Sequence, residues 1–158
     1  MSEVLAQKVT SLQRCIARAR EARAEAGADF RTSYNLQDAA ILNVIRACDA
    51  AIDLANMLIR RRRLGIPGES RESFAILARE KAIPVELGER LQRMVGFRNV
   101  AVHQDRDLDI EIVEAVITRH LDDLVELAES VRAQMNGESR ADNGESRLLT
   151  GTRRGRLT

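Results

Sequence analysis

From Asn35 to Arg63 the chain contains no proline and repeats its apolar residues at the helical interval, which excludes most folds for this stretch. At about 100° per residue, Ile41, Val44, Ile45, Cys48, Ile52, Ala55 and Ile59 fall along one line. Ala40, Ala47, Ala51, Leu54 and Leu58 widen the apolar surface to roughly 200° of the helix circumference. A helix this apolar is expected to touch both its own bundle and a second subunit. Aromatic residues make up only 3% of the chain against 44% hydrophobic residues in all, so the core must be built from Leu, Ile, Val and Ala. Pro67 and Pro84 are the only prolines, which leaves room for long helices on either side. The expected fold class is all-α.

The other edge of this helix is polar. Asp38, Arg46, Asp49, Asp53, Asn56 and Arg60 project within roughly 80° of one another and border the apolar stripe. Such a rail is either an ordinary solvated edge or the wall of a polar cleft, and Asp49 and Asp53 are the candidate cleft-lining residues. Arg60, Arg61, Arg62 and Arg63 close the helix, where cations suit the macrodipole; a phosphate-backbone contact is the alternative.

The remaining elements follow the same logic. Ser2 and Glu3 make a capped start for a first helix carrying Leu5, Val9, Leu12, Ile16 and Ala19, ending near Gly27. Gly65, Pro67 and Gly68 break the chain after the second helix. Ser70 is the expected cap of a short third helix bearing Phe74 and Leu77. Val85, Leu87, Leu91, Met94 and Val95 define a fourth. Asp109 caps a last amphipathic run from Ile112 to Met135, with His120 on its apolar side as a structural histidine.

From Asn136 the character changes. Asn136-Gly137-Glu138-Ser139-Arg140 recurs at Asn143-Gly144-Glu145-Ser146-Arg147, with little apolar content. Residues 1–135 are therefore expected to form one domain and 136–158 a disordered low-complexity tail.

The net charge of +1 excludes a uniformly basic coat for nucleic acid, although all basic residues except Lys8 and Lys81 are arginines. Cys15 and Cys48 are isolated at apolar helical positions, which suggests neither a zinc site nor a disulfide. No signal peptide or membrane span is evident, so a cytoplasmic protein without membrane attachment is expected.

One segment concentrates chemistry. Within Met94-Val95-Gly96-Phe97-Arg98-Asn99-Val100-Ala101-Val102-His103, a guanidinium, a carboxamide and an imidazole sit among small and apolar neighbours. A guanidinium suits phosphate and an imidazole exchanges protons near neutral pH. On a continuous helix Arg98 and His103 diverge by about 140°, whereas Asn99 and His103 share a face. The first pair can meet one target only if the helix ends near His103 or if a second copy completes the site.

The run Phe97-Arg98-Asn99-Val100-Ala101-Val102-His103 resembles the signature of HEPN-domain proteins, an Arg followed four to six residues later by a His. Gln37-Asp38-Ala39-Ala40-Ile41-Leu42-Asn43, Ala51-Ile52-Asp53-Leu54-Ala55 and Met94-Val95-Gly96-Phe97 are similar to the HepT toxin branch of that superfamily, over roughly residues 5–133. The resemblance implies an up-and-down bundle of four to five helices that forms a homodimer, with the two Arg/His motifs lining one cleft. It implies an endoribonuclease toxin that needs neither metal nor cofactor. Attack by a ribose 2′-hydroxyl would leave a 2′,3′-cyclic phosphate, with Arg98, His103 and Asn99 as the catalytic set. It also implies a nucleotidyltransferase antitoxin as partner. HepT toxins usually carry a Tyr two residues after the His, where the antitoxin attaches adenylate; here that position is Asp105. This chain cannot be silenced there in that way, and a carboxylate stands where RNA phosphate would approach. A catalytically weakened HEPN module that binds RNA, nucleotide or the partner is therefore the alternative.

Overall fold

The computed structural model describes the backbone of residues 2–103 and 108–153, and the side chains among them as far as residue 137. It contains α1 (Glu3–Ala26), α2 (Tyr34–Arg62), α3 (Ser70–Arg79), α4 (Val85–His103), α5 (Ile110–Ala115) and α6 (Leu121–Arg153), with a short 3-10 turn at Gly27–Asp29. A π-helical turn at Val116–His120 joins α5 to α6 without a break, so the bundle consists of five helical rods.

Local chemistry sets the ends of these rods. Ser2 Oγ accepts from the Leu5 N–H at 3.5 Å, and Gly27 leaves α1 with φ 55, a value that glycine adopts without Cβ strain. Arg63 ends α2 in the left-handed region, and its N–H donates to the Ile59 and Arg60 carbonyls. The start of α3 differs from expectation. Glu69 occupies the cap position and Ser70 is already helical. Glu72 in the first turn reaches back with its carboxylate to the Gly68 N–H at 2.6 Å, one residue before the cap. Asp109 does cap α5, accepting from Glu111 N–H at 2.9 Å.

α2 is the central rod, with α1, α3, α4 and α6 all packed on it. Val44, Ala47, Ala51, Leu54, Ala55 and Leu58 are fully buried. The wide apolar face of α2 thus finds neighbours within one subunit, and its width does not require a second subunit. Leu5, Leu12, Phe30, Phe74, Leu87, Leu91, Leu121 and Leu127 fill the space around it. Cys15 and Cys48 are buried free thiols, as their apolar positions suggested.

The boundary anticipated between residues 135 and 136 falls inside α6, which continues as helix to Arg153. Among the described residues, no helix is long and apolar enough to cross a membrane.

Candidate active site

α4 carries the Arg–Asn–His segment and is held at both ends of its buried face. Leu87, Leu91, Met94 and Val95 point into the core, and Ala101 is buried near its end. Gly88 lets α3 approach closely, because a Cβ there would lie 2.8 Å from Ala78 Cβ and 3.4 Å from the Phe74 carbonyl oxygen. On its other side α3 is fixed to α2, where Ser73 Oγ donates to Asn56 Oδ1 at 2.6 Å.

Arg98 sits on the side of α4 that faces α2. Its side chain is 28% exposed, its Nε donates to Asp49 Oδ1 at 2.9 Å, and its Nη1 donates to Asn99 Oδ1 at 3.0 Å. Two of the three guanidinium nitrogens are therefore held by neighbours. Among the described residues Nη2 has no partner, which leaves one edge of the fork available to a ligand. Asp49 cancels much of the local charge, so this arrangement gives orientation more than net positive potential. Behind the pair lies the Cys48 thiol. Burial pushes its pKa up to about 12, Asp49 pushes in the same direction, and Arg98 acts against both. Cys48 is consequently a protonated core side chain beside the site and no nucleophile.

His103 is the last residue of α4 and is exposed to solvent. Up to that point the helix is continuous, so Arg98 and His103 leave it about 140° apart and a single subunit shows them on different sides. Asn99 lies on the His103 side by spacing, yet its carboxamide oxygen turns to Arg98.

The polar rail of α2 divides among its neighbours. Asp49 goes to Arg98, Asn56 to Ser73, and Asp53 to Lys8 Nζ at 2.7 Å, an ion pair that ties α2 to α1. Asp53, one turn from Asp49, is thus not gathered around Arg98. Asp105 lies outside the described residues. Among the described residues no group of three or more His, Cys, Asp or Glu side chains is arranged to hold a metal ion.

Two features escaped the sequence reading. The guanidinium of Arg71, on α3, lies over Gly96 of α4. A cavity of about 240 Å³ opens between α4 and the π turn, lined by Arg90, Arg93, Phe97, Ile112, Val116 and His120. There His120, whose spacing alone suggests a structural histidine, is 45% exposed at its side chain, with Nδ1 3.9 Å from Asp123 Oδ2. Asp123 is nearly buried, and its other oxygen accepts from Arg90 Nε at 3.0 Å. The His120–Asp123 spacing of three was the available signal; the π turn that re-aims His120 had none.

The family described as Ribonuclease HepT-like matches residues 12–131. The mRNA nuclease HepT of Shewanella oneidensis is 38% identical over 134 residues, spanning 85% of this chain and 100% of that protein. A structure of the tri-AMPylated Shewanella oneidensis HEPN toxin in complex with MNT antitoxin superposes with a TM-score of 0.79 at 38% identity, covering 84% of this chain and 99% of that one. A toxin–antitoxin complex with AMP-PNP gives 0.78 at 37% identity, over 83% and 99% of the two chains. The cytosolic protein YutE of Bacillus subtilis, of unknown function, shares the fold with a TM-score of 0.72 at 18% identity, over 85% and 90%. With five helical rods in the same arrangement and the Arg–Asn–His segment at the end of α4, the chain belongs to the HepT-like ribonuclease family of HEPN toxins.

Proposed function

We propose that this protein is a metal-independent endoribonuclease toxin, acting as a homodimer and controlled by a nucleotidyltransferase antitoxin. The observation that carries the reading is the held guanidinium of Arg98. Asp49 and Asn99 fix two of its nitrogens, while His103 stands exposed at the end of the same helix. Kinship to an mRNA nuclease, and to a HEPN toxin bound to an MNT antitoxin, supports both the reaction class and the partner.

In the proposed reaction a ribose 2′-oxygen attacks the adjacent phosphorus. The P–O5′ bond breaks, leaving a 2′,3′-cyclic phosphate and a 5′-hydroxyl. One imidazole takes the 2′-hydroxyl proton and another delivers a proton to the departing 5′-oxygen. The two His103 side chains of a homodimer supply both roles. Arg98, pre-oriented by Asp49, donates from its remaining edge to the phosphorane oxygens as their charge grows. Because Arg98 and His103 diverge on one helix, the productive pair is formed across the subunit interface, with Arg98 from one copy facing His103 from the other.

The test is cleavage of single-stranded RNA in EDTA, with analysis of the ends produced. Cyclic phosphate and 5′-hydroxyl termini are expected. His103→Ala is expected to lower the rate by roughly 10²–10⁴-fold, and Arg98→Ala by roughly 10²–10³-fold. Undiminished cleavage by both variants would remove the catalytic assignment. Binding of RNA without cleavage by the wild-type protein would favour the binding module that Asp105 suggests.

A further inference from the structure

Arg71 is an exposed cation on the second residue of α3, yet it does not extend into solvent. An ideal Cβ built on Gly96 would lie 2.7 Å from Arg71 Nη2 and 3.5 Å from its Cζ, so the guanidinium rests on the bare backbone of α4. Glycine in the middle of a helix is unfavourable relative to alanine. Here it clears the surface on which Arg71 lies. The position of α3 is itself fixed, since the buried Ser73, two residues on, is bonded to Asn56 of α2.

No acid claims this cation. Among the described residues Arg71 has no ion pair or hydrogen bond, and the nearby Glu72 carboxylate is turned back to the Gly68 N–H. The location also matters. Gly96, Asn99 and His103 stand at i, i+3 and i+7, within about 60° of one another around α4. Arg71 therefore lies on the His103 side of the helix, two turns before the imidazole, whereas Arg98 points the other way towards Asp49.

We propose that Arg71 is a second phosphate-binding guanidinium, which grips a phosphate of single-stranded RNA flanking the scissile one on the His103 face of α4. A planar fork without a carboxylate partner suits a phosphodiester. Its distance from His103 along the helix makes it a substrate-binding group for the neighbouring nucleotide and leaves the reacting phosphorus to Arg98. This assignment rests on the ribonuclease reading, and Gly96 gains a role in it as the seat of Arg71.

The experiment measures binding of a labelled single-stranded RNA oligonucleotide to the full-length His103→Ala protein across a salt series. Arg71→Ala and Gly96→Ala are each added to that background, and cleavage kinetics are recorded with His103 intact. Arg71→Ala should weaken binding about tenfold at low salt and reduce the slope of log K against log salt by about 0.7. In cleavage it should raise KM and leave kcat unchanged. Gly96→Ala should reproduce the loss by displacing the guanidinium, while the melting temperature holds or rises. Arg71→Lys should recover part of the affinity through its charge alone. Unchanged affinity and slope in both Arg71→Ala and Gly96→Ala would overturn the proposal. So would a loss of affinity accompanied by a change of oligomeric state in light scattering, which would make Arg71 a protein contact. Failure of the wild-type protein to cleave RNA would strike the ribonuclease reading instead, and the salt slope would still decide whether Arg71 meets a phosphate.

Discussion

Arg98 Nε donates to Asp49 Oδ1 across 2.9 Å, and this ion pair joins the helix that bears the candidate site to the helix at the centre of the bundle. Asp49 is 46% exposed at its side chain, so solvent screens the pair and its worth to stability is small, at most about 1 kcal/mol. Its worth to orientation is larger. Asp49→Asn is expected to leave the melting temperature nearly unchanged and to lower RNA cleavage about tenfold, equivalent to about 1.4 kcal/mol of transition-state stabilisation. In a double-mutant cycle with Arg98→Ala the two losses should not add, because Asp49 acts only through the guanidinium. Additive losses would show that Asp49 acts on its own.

The divergence of Arg98 and His103 on α4 predicts subunit complementation. Arg98→Ala and His103→Ala proteins, each strongly slowed, should regain part of the wild-type rate when unfolded together and refolded as mixed dimers, which restore one Arg98–His103 pair across the interface but lack the second imidazole. A mixed dimer keeps one intact Arg98 and one intact His103 on opposite subunits. Sedimentation of the mixture with cleavage assayed across the dimer peak checks this. A mixed dimer that forms yet cleaves no faster than either parent would show that one Arg98–His103 pair across the interface does not suffice.

Gly88 sets the spacing between α3 and α4. An alanine methyl there would meet Ala78 Cβ at 2.8 Å and the Phe74 carbonyl oxygen at 3.4 Å, neither of which can swing away as a long side chain can. Gly88→Ala should therefore destabilise by about 1–3 kcal/mol despite its better helix propensity. Denaturant unfolding measures the cost. The contrast with Gly96→Ala is informative, since only the flexible end of Arg71 stands in the way there.

Cys48 should behave as a core thiol. With its pKa pushed up from 9.0 to about 12, it stays protonated and resists alkylation at pH 9 until the chain unfolds. The folded state holds this proton more tightly than the unfolded chain does. The associated stability is therefore intact below pH 9 and declines as pH rises from about 9 towards about 12. Cys48→Ala should flatten that alkaline decline, as followed by thermal unfolding at stepped pH.

The helices were legible in the sequence because their causes are local. Apolar residues at helical intervals, Gly27 past the end of α1 and Asp109 before α5 act over a turn or two, and the rods formed where those signals lie. The Arg98–Asn99–His103 segment was legible for the same reason, as three reactive side chains within six positions. What the rail on α2 does was not. Asp49 and Asp53 are equivalent by spacing, one turn apart, yet one meets Arg98 from 49 residues away and the other meets Lys8 from 45 residues away. Only the packing of α4 beside one and α1 beside the other separates them. Likewise, nothing within a turn of Gly96 announces that Arg71 will lie upon it, because α3 is brought there by contacts far along the chain. Sequence alone therefore determined which segments coil and which residues carry chemistry, since backbone propensity and side-chain identity are properties of neighbours. The tertiary structure decided which of those residues meet, since an ion pair or a steric seat depends on distances that only the assembled core sets.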